Sequence, residues 1–248
     1  MQTKMMAAAG VLFSVAGLAS AQTATWQGEG SLSAGVTTGN TDTRDLGLGL
    51  KLNRDSDLWR TGVEALADYG EIDGAESKNR IFLAGQLDRK LGERAYVFGR
   101  GSYEADEFSG FDSRIFLGGG AGYTILTGEK ASWSVEGGPG IKIDEVKEQV
   151  VLPGPVIIPA ETVESFSVVG ASKFAYAFNE NVKLSNDTSV LYAEESTQLT
   201  NSLALTAALT GALSARVSFD VRHDTNPPIG FEDTDTATRV SLVYAFGS

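Results

Sequence analysis

From Trp26 to Phe246, apolar side chains recur at every second position, the pattern of β-strands with one apolar and one polar face. The clearest run sets Leu46, Leu48, Leu50 and Leu52 against Gly47, Gly49, Lys51 and Asn53. Coiled as a helix, those leucines would point in every direction. The alternation occurs twelve times. The first run turns Trp26, Leu32, Ala34 and Val36 away from Gln27, Glu29, Ser31 and Ser33 and ends in a Gly39-Asn40-Thr41-Asp42 turn. The third sets Trp59, Val63 and Tyr69 against Arg60, Glu64 and Asp68; the fourth sets Ile81, Leu83 and Leu87 against Arg80, Gln86 and Asp88. Val97 and Tyr103 oppose Arg100, Glu104 and Asp106, and the sixth run places Ile115, Leu117, Tyr123 and Ile125 on its apolar face. Later runs carry Trp133, Ile141 and Ile143; Phe166, Phe174 and Tyr176 opposite Lys173; Leu184 and Tyr192; and Leu199, Leu203 and Leu205. The last two set Val217 and Phe219 against Arg216 and Asp220, and Val240, Leu242, Tyr244 and Phe246 against Arg239.

Twelve alternating strands suit either a soluble barrel with its apolar face inward or a membrane barrel with that face outward. The polar face favours the membrane barrel, because its charges are flanked by glycine, alanine and serine, as in a lumen of limited volume. Aromatics such as Trp26, Trp59, Tyr103, Trp133, Tyr176 and Tyr244 cluster toward strand ends, where interfacial girdles sit, and twelve is an even number. Connections alternate between short (55–57, 91–94, 127–130, 179–181, 210–211) and longer, more acidic ones (71–78, 107–113, 145–162, 225–235). That asymmetry matches periplasmic turns and extracellular loops. An open sheet edge in lipid leaves backbone groups unmet at several kcal/mol each, so one closed, antiparallel up-and-down transmembrane β-barrel is expected.

The N-terminus reads as an address. One lysine, Lys4, precedes an apolar stretch over 5–18, too short to span a bilayer, and Ala19-Ser20-Ala21 supplies a small-x-small cleavage site. Residues 1–21 are therefore expected to be a signal peptide and 22–248 the outer-membrane barrel. The absence of cysteine excludes disulfides and thiolate chemistry, and a formal net charge of −12 opposes nucleic-acid binding.

Trp26-Gln27-Gly28, the small-residue strand running to Gly39-Asn40-Thr41, the leucine alternation after it and Trp59 together resemble the salt-induced outer membrane protein family (YdiY-like), most clearly over 26–125. The resemblance implies an outer-membrane barrel and no established activity. The final Phe246 is followed by Gly247-Ser248, a departure from the terminal aromatic usual in signals for the barrel-assembly machinery.

The inward parity collects Arg60, Arg80, Arg100, Lys142, Lys173, Lys183, Arg216, Arg222 and Arg239 with Glu64, Asp68, Asp88, Glu104, Asp106, Glu136, Asp144, Asp187, Asp220 and Asp224. Nearly equal numbers of each sign suggest cross-strand ion pairs that partly fill the interior. Arg60, Arg80 and Arg100, on consecutive strands, are candidates for an arginine ladder facing Glu64 and Glu104; a structural pairing network is the plainer reading. The lone histidine, His223, shares parity with Val217 and Phe219 and has no adjacent serine, so a catalytic site is not expected. Acidic loops such as that holding Glu232, Asp233 and Asp235 lack the spacing of a defined calcium motif, and neither a metal nor another cofactor is expected.

Two irregularities stand out. The loop 145–162 contains an apolar segment with Pro153, Pro155 and Pro159, for which a lumen constriction, a lid or docking surface, and a strand extension above the membrane are all open. Asn186 and Asn201 fall on the lipid face of adjacent strands; they bond to each other, mark a subunit contact or betray a bulge. The expected function is a narrow, monomeric channel for small hydrophilic solutes or ions, linked to salt or osmotic stress, in contact with outer-membrane lipid and lipopolysaccharide. The alternative is a structural envelope-stress barrel plugged by salt bridges, whose acidic loops bind ions or partners. A lipid-active enzyme is a remote third.

Overall fold

The computed structural model describes residues 25–38, 43–72, 75–151 and 156–247. The expected signal peptide and the 39–42 turn lie outside them. The strands in chain order are β1 (Thr25–Thr38), β2 (Thr43–Asp55), β3 (Trp59–Ile72), β4 (Ala75–Lys90), β5 (Ala95–Asp106), β6 (Phe111–Thr127), β7 (Ala131–Val146), β8 (Gln149–Val151), β9 (Val156–Ile158), β10 (Glu161–Ala177), β11 (Val182–Ala193), β12 (Thr197–Thr210), β13 (Leu213–Asp224) and β14 (Thr234–Gly247). Twelve of them close into one antiparallel barrel, while β8 and β9 pair only with each other. The seam joins β1 to β14, from Gln27 opposite Gly247 to Thr38 opposite Thr236, so every barrel strand has two neighbours. No helix occurs among the described residues.

The alternation acts as the sequence predicts. Leu48 and Phe166 are 62% and 72% exposed on the outside, whereas Asp88 and Lys142 are 3% and 5% exposed within. This is the reverse of a water-soluble barrel, and it leaves an apolar outer surface suited to hydrocarbon. One end carries only turns of a few residues, 56–58, 91–94, 128–130, 178–181 and 211–212; the other carries the loops.

Three expectations need correction. Ile125 does not share the outward face: a bulge between Thr124 and Leu126 pairs Leu126 with Trp133 and turns Leu126 outward instead. Most of 71–78 is strand, with Ile72 opposite Ala75. The 145–162 segment is also largely strand, since Val146 pairs with Glu161 and the β8–β9 hairpin continues beyond them. The β8–β9 hairpin forms a sheet of its own, apart from the barrel, and residues 152–155 lie outside the described region.

Asn186 and Asn201 do bond to each other, at 3.3 and 3.4 Å, with the Asn201 amide also donating to Thr188 Oγ1 at 2.7 Å. The register is continuous there, so no bulge is involved. An unsatisfied buried polar group costs about 1–3 kcal/mol, whereas replacing both partners by apolar groups is nearly neutral. Asn201→Leu alone is therefore expected to lower the urea midpoint of the barrel in lipid vesicles, and Asn186→Leu with Asn201→Leu to recover most of the loss.

Candidate functional site

A barrel of eight strands is filled by side chains and one of sixteen leaves an aqueous channel, so at twelve the inward residues decide. Near the loop end they form a continuous ionic layer. Arg80 Nε donates to Glu104 Oε1 at 2.8 Å and its Nη1 to Asp68 at 3.2 Å. Arg222 Nη2 lies 2.7 and 2.8 Å from the two Glu104 oxygens. Arg239 joins Asp68, at 3.5 Å, to Asp220, at 2.9 Å, and Arg114 reaches Asp224 at 3.2 Å. In the barrel order β13 and β5 stand six places apart among twelve strands. The Arg222–Glu104 pair therefore ties opposite walls together across the full width of the lumen. Lys142 pairs with Asp144 at 2.6 Å and donates to Ser196 Oγ at 3.1 Å. At the rim, the Ser165 hydroxyl donates to Glu195 and holds that exposed carboxyl below its ordinary value.

Farther toward the short turns, one wall is thickened from within. Tyr96, Phe98, Phe116 and Val169 form a buried apolar cluster with Leu191 against it. Glu136 accepts from the Tyr96 hydroxyl and the Gln86 amide, both at 3.0 Å, with Arg100 at 3.6 Å and Lys173 at 3.9 Å. Arg60 binds Asp88 at 2.6 Å and lies 4.8 Å from the Tyr96 ring centre, while Arg100 lies 5.7 Å from that of Phe116. Glycines make room for these rings: a Cβ on Gly122 would sit 2.2 Å from Tyr96 Cζ, and one on Gly118 2.5 Å from Phe116 Cζ.

Two spaces lie along the lumen among the described residues. The inner one, at the short-turn end, has a volume of about 840 Å³ and is lined by Lys51, Arg60, Lys173, Lys183 and Arg216 against Glu29 and Asp187. The outer one measures about 100 Å³ and is lined by Glu104, Asp106, Asp224, Glu232, Asp233 and Asp235 against Arg114 and Arg222. The inner space is thus lined mainly by basic side chains and the outer one mainly by acidic ones. Above the outer space the 225–233 loop crosses toward the far wall, where a Cβ on Gly110 would lie 2.5 Å from Pro228 Cγ. This loop covers the outer space.

The candidate ladder is not present. Antiparallel register puts Arg60 level with Asp88, Arg80 with Asp68 and Asp106, and Arg100 with Gln86 and Gly118, at different heights in the barrel. Only Arg80 meets Glu104; Glu64 is taken by Lys51 at 3.3 Å. Lys173 faces Asp187 in register across β10 and β11. Arg216 clamps Glu29 with two bonds, at 2.9 and 3.0 Å. The ionic set read from sequence left out Glu29, Lys51 and Arg114. It also missed the apolar cluster, although Tyr96, Phe98 and Phe116 all carry inward parity. His223 Nδ1 lies 2.9 Å from Thr234 Oγ1 at the rim. Among the described residues, no group of three or more histidine, cysteine, aspartate or glutamate side chains could hold a metal.

The fold and the lining define a transmembrane β-barrel with an ionically bridged lumen. The chain belongs to the family described as a protein of unknown function, DUF481, which matches residues 30–246. It is 28% identical over 225 residues to the uncharacterized protein YdiY of Escherichia coli (strain K12), covering 88% of this chain and 82% of that one. The resemblance read from the sequence is thereby borne out. Among solved structures it is similar to the NanC porin, with a TM-score of 0.54 at 12% identity over 87% of this chain and 98% of that one. The translocator domain of the autotransporter NalP from Neisseria meningitidis gives a TM-score of 0.55, also at 12% identity, over 90% and 88%. At such identity the likeness is one of fold: outer-membrane barrels of the porin and translocator kinds.

Proposed function

We propose that the protein is an outer-membrane barrel forming a narrow pathway for ions and small hydrophilic solutes, closed at rest in its outer half. The observation that carries this reading is the Arg222–Glu104 bond from wall to opposite wall. A spacious inner cavity below a thin ionic layer supports a pathway with a barrier, rather than a lumen packed along its length. The short-turn end is the periplasmic one by analogy with barrels of this kind, which makes the bridged end extracellular. The link to salt follows from the chemistry of the barrier. Raising ionic strength from about 0.1 M to about 1 M shortens the Debye length from about 10 Å to about 3 Å, which weakens the partly exposed members of the ionic layer.

In planar bilayers the purified protein is expected to give brief, infrequent current steps, with an open fraction that rises between those two salt concentrations. A second reading, a structural barrel with a permanently sealed lumen, is favoured by the apolar cluster that thickens the wall around Phe116. It predicts silence from the native protein and equally from a protein whose crossing pair has been removed. Silence from both would overturn the channel reading.

A further inference from the structure

We infer that the inner cavity is a binding site for small anionic, hydroxyl-rich solutes such as sugar acids or sugar phosphates. The inference deepens the proposed function, in that it rests on a lumen closed outward and accessible from the short-turn end. The cavity, at about 840 Å³, falls in the range of about 300–1,000 Å³ typical of small-molecule sites. Its lining carries five basic side chains to two acidic ones, although the chain as a whole carries −12; Arg60 and Lys51 are paired with Asp88 and Glu64 just outside it, so the surplus rests on Lys173 and Lys183. The acidic members are largely committed. Glu29 is held by both terminal nitrogens of Arg216, and Asp187 interacts electrostatically with Lys51, Lys173 and Lys183 together.

The basic members are not fully used. Lys183 makes no salt bridge among the described residues, and the one salt bridge of Lys173 there is a long one, to Glu136 at 3.9 Å, with its side chain 53% exposed. These ammonium groups differ from those of the outer layer, where Arg80 is 13% exposed and held on both sides. Two ammonium groups around an acidic side chain that can neutralise only one of them leave a positive site ready for a carboxylate or phosphate. Asn53 and Ser185, also in the lining, supply hydrogen-bonding groups for hydroxyls. A field of one sign inside low-dielectric walls concentrates counter-charged solutes.

The test is equilibrium binding to the full-length protein in detergent, by isothermal titration calorimetry, with glucuronate and glucose 6-phosphate as probes and glucose as the neutral control. Saturable binding of both anions and none of glucose is expected, with the affinity declining as salt is raised. Lys173→Gln with Lys183→Gln should weaken glucuronate binding about tenfold or more, equivalent to about 1.4 kcal/mol. Asp187→Asn should strengthen it, a change of opposite sign that a merely misfolded protein would not give. Equal binding by the native and variant proteins, or no preference for anions over glucose, overturns the inference. Because the measurement needs no current, binding by a protein silent in bilayers would count against the channel alone. Conductance without anion binding would count against this site alone.

Discussion

Glu104→Ala is expected to raise the open fraction of the protein in planar bilayers by more than about tenfold. Glu104 receives both Arg80 and Arg222 and joins β13 to the diametrically opposite β5; the Arg114–Asp224 pair makes a second, single-bonded crossing from β6 to β13. The alanine removes two hydrogen bonds across the lumen, at 2.7 and 2.8 Å. Hydrogen bonds to charged groups are worth about 1.5–3 kcal/mol each. A shift of about 1.4 kcal/mol already changes an equilibrium tenfold, so losing even one such bond meets the expectation. The loop over the mouth adds a second obstacle: Pro228 and Phe231 lie close to Gly110, and the loop is anchored by the Asp224 amide to the Asp233 carbonyl at 2.8 Å and by the Asn226 side-chain amide to the Glu195 carbonyl at 3.1 Å. If the barrel conducts, the ionic layer is the barrier expected to set the open fraction, since surface loops move on nanosecond to microsecond times.

The same substitution should leave the fold in place. Breaking a buried pair costs about 3–5 kcal/mol, but the Arg222 side chain is 37% exposed and regains water, while Arg80 keeps Asp68, so the loss is smaller than that. Glu104→Gln, which keeps an acceptor for Arg222 without the charge, should fall between the native protein and the alanine variant. Unchanged silence from a correctly folded Glu104→Ala protein would show that the lumen is sealed by something other than this pair.

The contrast between what the sequence disclosed and what it withheld has a physical basis. Side-chain parity is a local property of a strand, so Leu46, Leu48 and Leu50 declared the outside and Asp68 and Asp88 the inside without knowledge of any partner. Ile125 was misplaced because one extra residue in a bulge reverses parity, and nothing in Tyr123-Thr124-Ile125-Leu126 announces it. Ion-pair partners depend on relative height, which antiparallel registers shift from strand to strand. Arg60, Arg80 and Arg100 looked aligned in sequence spacing but settled beside Asp88, Glu104 and Glu136. Pairs such as Arg222 with Glu104, separated by 118 residues, become neighbours only when the barrel closes. The inward aromatics were legible in principle: Tyr96, Phe98 and Phe116 occupy polar-face positions, and the glycines opposite them signalled that something large needed room.

Those glycines underlie the largest effect expected on folding, from Gly120→Val. Gly118-Gly119-Gly120 of β6 lies against Gly137-Gly138-Pro139-Gly140 of β7, with Gly118 opposite Gly140 and Ala121 opposite Gly137. A Cβ at position 120 would lie 2.1 Å from the Gly137 carbonyl oxygen and 2.8 Å from the Gly138 Cα. Both obstacles are backbone, so no side-chain rotation relieves them and the two strands must part. Gly138 is equally confined, since a Cβ there would meet the Gly119 oxygen at 2.2 Å. In a soluble sheet, water could satisfy the separated groups. In hydrocarbon each unmet backbone group costs several kcal/mol, and a closed barrel has no free edge at which to absorb the strain. Gly120→Val is thus expected to abolish the folded form, read as loss of the fast-migrating band on unheated gels and of protease protection in vesicles. Gly85→Val, at a glycine with no atom within 4 Å of its added Cβ, should fold at native yield. If the two variants folded equally well, the close β6–β7 approach would not be the feature that holds this side of the barrel together.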